Sequence, residues 1–247
     1  VRTVDGYDDD TYGSAFADVY DDWYGSVSDI DATVAAIAAL AAPLADLPVL
    51  ELGVGTGRLA LPLAANGIQV VGVDSSRPML DRMSAKPHAE AVRTIVGDMV
   101  DDLPDGPFAV VFVAYNTFFS LLTEERQRAC FAAVERVLAP GGAFVVEAFV
   151  PDPFQEPDRN VTVRSVAVDR VVLSVSVSDP SSQRAEGQYV DITEAAGVRL
   201  RPWSIRWATP TPTSSVLSRS WSATRRTACP TMLPSTSGSP SRTTAPP

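Results

Sequence analysis

The feature that most constrains the fold is an alternation of strand-type and helix-type segments between residues 49 and 150. It begins at VLELGVGTGRLALPL, where a buried-strand pattern is followed by a glycine turn and a helix predicted from about residue 58 to residue 66. Four more strand-type segments follow, namely IQVVGVD, EAVRTIVGD, FAVVFVAY and AFVVEAFV. Strands that alternate with helices require right-handed crossovers and a parallel sheet covered on both faces. The sequence therefore predicts an α/β fold with a doubly wound, mostly parallel sheet that binds ligands beyond the carboxyl ends of its strands.

Three glycines at alternate positions, Gly53, Gly55 and Gly57, connect the first strand to the following helix. Glycine accepts backbone conformations with positive φ and lets a ligand approach without meeting a Cβ atom. The helix N-terminus presents unpaired N–H groups and the positive end of its dipole, so the turn is expected to hold an anionic group. A dinucleotide-binding turn reads G-x-G-x-x-G, whereas this turn reads G-x-G-x-G and has Arg58 where that motif has glycine.

Charge and composition exclude several classes of protein. The formal net charge is −10, with 30 acidic and 20 basic side chains, so binding to a phosphate backbone is not expected. Two cysteines and no apolar stretch of 18 residues argue against a disulfide scaffold and a membrane span. The N-terminus lacks the pattern of a signal peptide, which predicts a cytoplasmic protein.

Four motifs, in order, resemble those of class I S-adenosylmethionine-dependent methyltransferases. The segment Glu51–Gly57 resembles the family's first motif, and Asp74 is similar to the acidic residue that binds the ribose hydroxyls. Asp98 and Met99 resemble the pair that reads the adenine ring, and LAPGGAFVVE resembles the turn into the fifth strand. The resemblance implies a Rossmann-like core over residues 31–150 and S-adenosylmethionine as the cofactor. Asp74 and the serines after it are also suited to capping a helix, and the two roles are compatible.

An aromatic stripe marks the N-terminal segment, because Tyr12, Phe16, Tyr20 and Trp23 recur at steps of three and four residues. This spacing predicts one face of a helix over residues 12–24, and core packing is the default role of such a stripe. The opening YGSAFADVYD is similar to that of small-molecule N-methyltransferases of antibiotic and amino-sugar pathways, which implies that residues 1–30 form a helical lid over the cofactor. The cofactor-binding candidates are Tyr12, Tyr20, Glu51, Gly53, Gly55, Gly57, Asp74, Ser75, Asp98, Met99 and Tyr115.

The acceptor site is predicted after the fourth strand, in AYNTFF. Tyr115 and Asn116 are suited to orienting an acceptor through hydrogen bonds, whereas Phe119 is either a pocket wall or core. The only histidine, His88, lies in a proline-containing loop and is expected to be solvated. No catalytic base and no metal site is identified, and the lack of a positioned histidine favours an amine acceptor over an alcohol or phenol.

Beyond residue 150 the polar and apolar residues alternate, which predicts a small antiparallel β layer over residues 151–208. In enzymes that this chain resembles, such a layer roofs the acceptor pocket or forms a dimer contact, so a monomer or a homodimer is expected. Residues 209–247 are rich in Ser, Thr and Pro and are predicted to be a disordered tail. The family places a helix and two further strands there, and one hypothesis for their absence is a displaced reading frame.

The favoured function is methyl transfer from S-adenosylmethionine to a small-molecule or short-peptide acceptor, most readily at nitrogen and in secondary-metabolite biosynthesis. Transfer to oxygen or carbon stays open. A dinucleotide-dependent oxidoreductase is disfavoured by Arg58 and by the Asp98-Met99 pair. A cofactor-binding subunit without catalysis is a third alternative, and neither nucleic acid nor a membrane is expected as a partner.

Overall fold

The computed structural model describes residues 6–25, 27–151 and 156–207. The helices are α1 (Thr11–Phe16), α2 (Tyr20–Tyr24), α3 (Ile30–Ala41), α4 (Ala60–Ala65), α5 (Arg77–Ser84) and α6 (Glu124–Val137), with 3₁₀ turns at Ala42–Leu44, Ala89–Ala91 and Thr117–Ser120. The strands are β1 (Val49–Leu52), β2 (Val70–Asp74), β3 (Val92–Val96), β4 (Phe108–Val113), β5 (Leu138–Val146), β6 (Asp158–Val166), β7 (Arg170–Asp179), β8 (Arg184–Thr193) and β9 (Gly197–Arg206). The predicted tail, residues 209–247, lies outside the described residues.

The first five strands form one parallel sheet in the order β3-β2-β1-β4-β5. Strand order reverses between β1 and β4, because the chain winds outward from β1 to β3 and then returns to place β4 on the other side. Every residue of these two central strands is buried, as expected for strands covered by helices on both faces. The prediction of a doubly wound, mostly parallel sheet is confirmed.

Two apolar clusters cover the two faces of this sheet. One contains Leu50, Val111 and Phe118 with the inward side chains of α6, including Cys130 and Val134. The other packs α3 and α4 against the opposite side chains of β1 and β4. Burial of these aliphatic side chains supplies the main stabilisation of the sheet.

The last four strands form a separate antiparallel sheet in the order β6-β7-β8-β9. Its inner face joins a third cluster, in which Val172 and Tyr189 pack against Phe16 and Tyr24 of the N-terminal helices. The predicted antiparallel layer is therefore present, and it contacts α1 and α2.

Three element boundaries differ from the sequence predictions. The single helix predicted over residues 12–24 is two short helices, α1 and α2, separated by a turn. The alanine-rich pattern of residues 29–46 predicts one further helix, but α3 ends at Ala41 and the chain continues as a 3₁₀ turn at Pro43, because proline removes an N–H donor and clashes with the preceding turn. The APGG segment lies inside β5, which ends at Val146 and leaves Glu147 just beyond the strand.

None of the helices in the described ranges is long and apolar enough to cross a lipid bilayer.

Candidate functional site

The glycine turn after β1 adopts a backbone that other residues rarely adopt. Gly53, Gly55 and Gly57 have φ values of +69°, +56° and +80°. A Cβ atom at Gly53 would lie 2.4 Å from Cγ2 of Thr117, so both the dihedral angle and the available space require glycine there. At Gly55 the nearest atom would be Oδ2 of Asp74, at 4.0 Å, so the φ value alone requires glycine and the surface beside it is open.

Asp74, the last residue of β2, joins this turn to the next one. Its Oδ2 accepts a hydrogen bond from the Gly55 N–H at 2.7 Å, and its Oδ1 accepts one from the Ser76 N–H at 2.8 Å. Burial raises the pKa of Asp74, although these two backbone hydrogen bonds oppose the shift. The carboxylate therefore caps the turn before α5, and its predicted contact with a ribose stays a prediction. Ser75 lies beside it and donates its hydroxyl to the Asp9 carbonyl at 2.9 Å.

Glu51 is a carboxyl group inside the sheet, with 4% of its surface exposed. The pKa of Glu51 is raised to about 8. Burial is the largest cause, the charges of Asp74 and Glu147 also raise the pKa, and Arg58 lowers it. Its Oε2 is buried and has no hydrogen-bond partner among the described residues. Because an unpartnered buried polar atom is costly, this oxygen fits the prediction that Glu51 accepts a hydrogen bond from the cofactor, and that contact stays a prediction.

Helix α2 of the lid is attached to the glycine turn. Asp21 accepts a hydrogen bond from the Thr56 hydroxyl at 2.6 Å and pairs with Lys86 at 2.8 Å, and the Lys86 ammonium also donates to the Thr56 carbonyl. Tyr20 lies near the charged groups of the site, so the charges of Arg58, Asp74 and Glu51 act on its hydroxyl. Burial is the largest effect and raises the pKa of Tyr20 to about 12. The structure therefore brings Tyr20 to the glycine turn.

Tyr12 has a different environment from Tyr20. Its ring stacks on Phe16 with the centroids 4.3 Å apart, and its hydroxyl hydrogen-bonds with Tyr24. Burial raises the pKa of Tyr12 well above its ordinary value. These contacts account for Tyr12 by packing within the lid, so its cofactor contact stays a prediction.

Asp98 and Met99 follow β3. Oδ1 of Asp98 accepts hydrogen bonds from the N–H groups of Val100 and Asp101, at 2.7 and 3.0 Å, and also from the Arg126 guanidinium. Met99 is partly buried against the core. The pair lies at the carboxyl end of β3, as predicted, and sequence reasoning missed the α6 arginine that holds Asp98.

The turn after β4 is strained and is held by residues that follow β5. Tyr115 and Asn116 have φ values of +49° and +65°, which is uncommon for residues other than glycine. The Tyr115 N–H donates to Oε2 of Glu147 at 3.1 Å, and the Asn116 side-chain oxygen accepts a hydrogen bond from the Phe149 N–H at 2.7 Å. Asn116 therefore fixes two loops against each other, and its predicted contact with the acceptor is untested.

Arg58 and Glu147 belong to this site but were not among the predicted site residues. The Arg58 guanidinium lies 5.6 Å from the centroid of the Tyr115 ring and acts on the Glu51 charge. In the sequence, Arg58 only distinguishes the glycine turn from a dinucleotide-binding turn. Glu147 ends the LAPGGAFVVE motif, so its place at the carboxyl end of a parallel strand was a usable signal.

Burial describes the environment of two further predicted residues. Phe119 is 5% exposed and packs with Phe149 at 5.1 Å between ring centroids, which fits a core position, and its contact with an acceptor stays a prediction. His88 is exposed in the loop before β3, as expected for a solvated residue.

A cavity of about 550 Å³ lies between α2 and the first two strands of the antiparallel sheet. Tyr24 and Tyr115 line the side toward the glycine turn, and Arg164 and Ser174 line the side formed by the sheet. Tyr115 contacts Arg58, so the cavity adjoins the predicted cofactor site. That the antiparallel layer roofs an acceptor pocket stays a prediction.

Comparisons with known proteins agree with this architecture. The family described as "Methyltransferase domain" matches residues 49–142. The cypemycin N-terminal methyltransferase of a Streptomyces species is 35% identical over 144 residues, which are 58% of this chain and 59% of that protein, so the match spans less than two thirds of that relative.

Two solved structures extend the likeness over most of the chain. The CcbJ methyltransferase from Streptomyces caelestis is 38% identical, with a TM-score of 0.72 over 83% of this chain and 84% of that one. The S-adenosylmethionine-bound amino pentose methyltransferase CalS10 from Micromonospora echinaspora, which is involved in calicheamicin biosynthesis, is 26% identical, with a TM-score of 0.59 over 77% and 83% of the two chains. The chain belongs to the family of S-adenosylmethionine-dependent methyltransferases, whose cofactor fits the order and position of its motifs.

Proposed function

We propose that this protein transfers a methyl group from S-adenosylmethionine to an amine nitrogen of a small molecule or short peptide, in the biosynthesis of a natural product. The observation that carries the proposal is the unpartnered, buried Oε2 of Glu51 beside an open glycine turn, with a cavity beginning at Tyr115. Support for nitrogen comes from a relative named as an N-terminal methyltransferase and from a structural neighbour that acts on an amino pentose.

The residues present fit the cofactor. The Glu51 carboxyl is suited to the ammonium group of the methionyl part, and the open backbone at Gly55 allows a ligand to approach closely. Asp74 would accept hydrogen bonds from the ribose hydroxyls, while Asp98 and Met99 would contact the adenine ring. When bound, the cofactor supplies an electrophilic methyl group on a sulfonium, which is a good leaving group.

The task of the protein is mainly alignment and exclusion of water. Helix α2 closes the site from above, because Asp21 is bonded to the glycine turn and Tyr24 lines the cavity. The acceptor nitrogen must be uncharged when it attacks, and the proton that it loses passes to water or to a carboxylate.

Two measurements test the proposal. Calorimetric titration of S-adenosylhomocysteine, with NAD as the control ligand, should give micromolar binding of the first and none of the second; binding of NAD alone would overturn the cofactor assignment. Methyl transfer to a panel of amino sugars and short peptides, followed by mass spectrometry, tests the acceptor atom. Matched analogues with a hydroxyl in place of the amine serve as controls, and methylation of these alone would refute the nitrogen assignment.

We also infer that the chain is a monomer or a homodimer and does not bind nucleic acid. The outer face of the antiparallel sheet exposes Val161, Val163, Val198 and Leu200, which favours the homodimer because a contiguous apolar surface is commonly buried by association. The net charge of −10 opposes binding to a phosphate backbone. Sedimentation velocity and an electrophoretic assay with DNA and RNA check these two expectations.

A further inference from the structure

The cavity between α2 and the antiparallel sheet contains one guanidinium group held against aromatic rings. Cζ of Arg164 lies 4.6 Å from the ring of Trp23 and 5.3 Å from each of the rings of Tyr24 and Tyr189. Its Nη2 donates a hydrogen bond to the Trp23 carbonyl at 3.0 Å. These contacts hold a long side chain in one position, so a ligand that binds it does not have to order it.

The neighbouring arginines are paired, and Arg164 is not. Arg170 forms two hydrogen bonds with the carboxylate of Asp191, at 2.7 and 2.6 Å, and Arg201 pairs with Asp18 and Asp191. Within residues 6–25, 27–151 and 156–207, no carboxylate forms an ion pair with Arg164. A partly buried cation is therefore held in the wall of a cavity with no opposite charge bound to it.

The rest of the cavity wall is polar and includes one carboxylate, that of Asp22 on α2, which forms no ion pair with Arg164 among the described residues. The wall also contains the hydroxyl groups of Thr162 and Ser165 on β6 and of Ser174 on the neighbouring strand β7. Asn160 contributes an amide. Arg170 and Arg201 also lie within 6 Å of the Trp23 ring, but carboxylates pair with both of them. Guanidinium forms strong, bidentate hydrogen bonds with carboxylate and phosphate.

We propose that the acceptor carries an anionic group, a carboxylate or a phosphate, that binds Arg164, while its amine lies at the Tyr115 end of the same cavity. This inference rests on the proposed methyl transfer and adds the charge of the substrate to it. Because Asp18 and Asp191 pair with Arg170 and Arg201, the preference for an anionic group depends on Arg164 alone.

The test uses the full chain saturated with S-adenosylhomocysteine and two matched sets of amines. Dipeptides with a free carboxylate are compared with the same dipeptides as carboxamides, and amino-sugar phosphates are compared with the unphosphorylated amino sugars. Dissociation constants are measured by ligand-observed NMR for the wild-type protein, for Arg164→Gln, for Arg164→Lys and for Arg159→Gln. Arg159 is the matched control, because it is an exposed arginine on the same strand and lies outside this cavity.

We expect the carboxylate or the phosphate set to bind the wild-type protein at least about 10-fold more tightly than its neutral counterpart, since hydrogen bonds to charged groups are the strong ones. Arg164→Gln should remove that preference, Arg164→Lys should retain part of it, and Arg159→Gln should leave it unchanged. The set that shows the preference identifies the anion as carboxylate or phosphate. Equal binding of anionic and neutral members, no binding of either anionic set, or an unchanged preference in Arg164→Gln would overturn the proposal.

Binding of S-adenosylhomocysteine is measured on every variant in the same experiment. It reports that the variant is folded, and it separates the two ideas. If the wild-type protein does not bind S-adenosylhomocysteine, the proposed function is refuted. If it binds S-adenosylhomocysteine but shows no preference for anionic amines, only the role of Arg164 is refuted.

Discussion

Replacement of Glu51 with glutamine is expected to stabilise the ligand-free protein at high pH and to weaken cofactor binding. The carboxyl is almost completely buried, its Oε2 has no partner among the described residues, and its pKa is raised by burial from 4.5 to about 8. Glutamine has nearly the same shape but carries no charge. The substitution therefore removes the cost of an ionised group in the sheet and also removes the charge that would bind an ammonium.

The magnitude follows from the pKa shift. A change from 4.5 to about 8 corresponds to about 5 kcal/mol between the protonated and ionised forms. Because the glutamine amide also needs hydrogen-bond partners, we expect the variant to gain about 2–4 kcal/mol in free energy of unfolding. In the unfolded chain the carboxyl ionises near pH 4.5, whereas in the folded protein it keeps its proton up to about pH 8. The stability of the wild-type protein should fall as the pH rises through this window, and the variant should lack that fall.

Cofactor binding should change in the opposite direction. A charge-assisted hydrogen bond contributes about 1.5–3 kcal/mol, so the variant should bind S-adenosylhomocysteine roughly 10- to 150-fold more weakly. Urea unfolding at about pH 5 and about pH 9, where the difference should be smallest and largest, measures the first effect, and calorimetry measures the second. The control is Glu135→Gln, at an exposed position on α6. A variant that is less stable at both pH values, or one that binds with wild-type affinity, would refute the assignment of Glu51.

Three further outcomes are expected. Asp74→Ala should weaken binding of S-adenosylhomocysteine by roughly 100-fold or more, because two charge-assisted hydrogen bonds are lost, and calorimetry measures this. Asp21→Asn should change the free energy of unfolding by less than about 1 kcal/mol, since its pair with Lys86 is partly exposed, but should raise the hydrogen-exchange rates of the α2 amides. Asp191→Asn should cost about 3–5 kcal/mol in urea unfolding near neutral pH, because it leaves the buried Arg201 without this partner. Its effect should shrink in acid, because hydrogen bonds from Arg170 lower the pKa of Asp191 and the wild-type pair is lost as the pH falls through that pKa.

The sequence was most informative where a structural requirement is local. The positive φ values of the glycine turn favour glycine, and the three glycines lie within seven consecutive positions. The apolar runs of β1 and β4 result from burial on both faces of the sheet. For this reason the parallel sheet, the turn and the placement of Asp74 and Asp98 at strand ends were predictable.

The contacts that shape the acceptor cavity join positions far apart in the sequence. Arg164 bonds to Trp23 across 141 positions, and Arg201 bonds to Asp18 across 183 positions. No spacing rule relates such residues, so the unpaired charge of Arg164 is visible only after the sheet has been folded against the lid. The division of the predicted lid helix has a related cause, since Asp18 lies in the turn between α1 and α2, where its carboxylate pairs with Arg199 and Arg201.

Helix α2 couples the two halves of the site because it is too short to be stable alone. A helix of five residues cannot offset the cost of nucleation in water, so its position depends on tertiary contacts. Asp21 attaches it to the glycine turn, and Trp23 and Tyr24 attach it to Arg164 in the cavity wall. An occupant of the cavity and a cofactor at the glycine turn would therefore both order the same helix, and each would reduce the ordering cost that the other has to meet. Acceptor binding should consequently be tighter when S-adenosylhomocysteine is bound, and by thermodynamic linkage the same factor should apply to the cofactor product in the presence of acceptor.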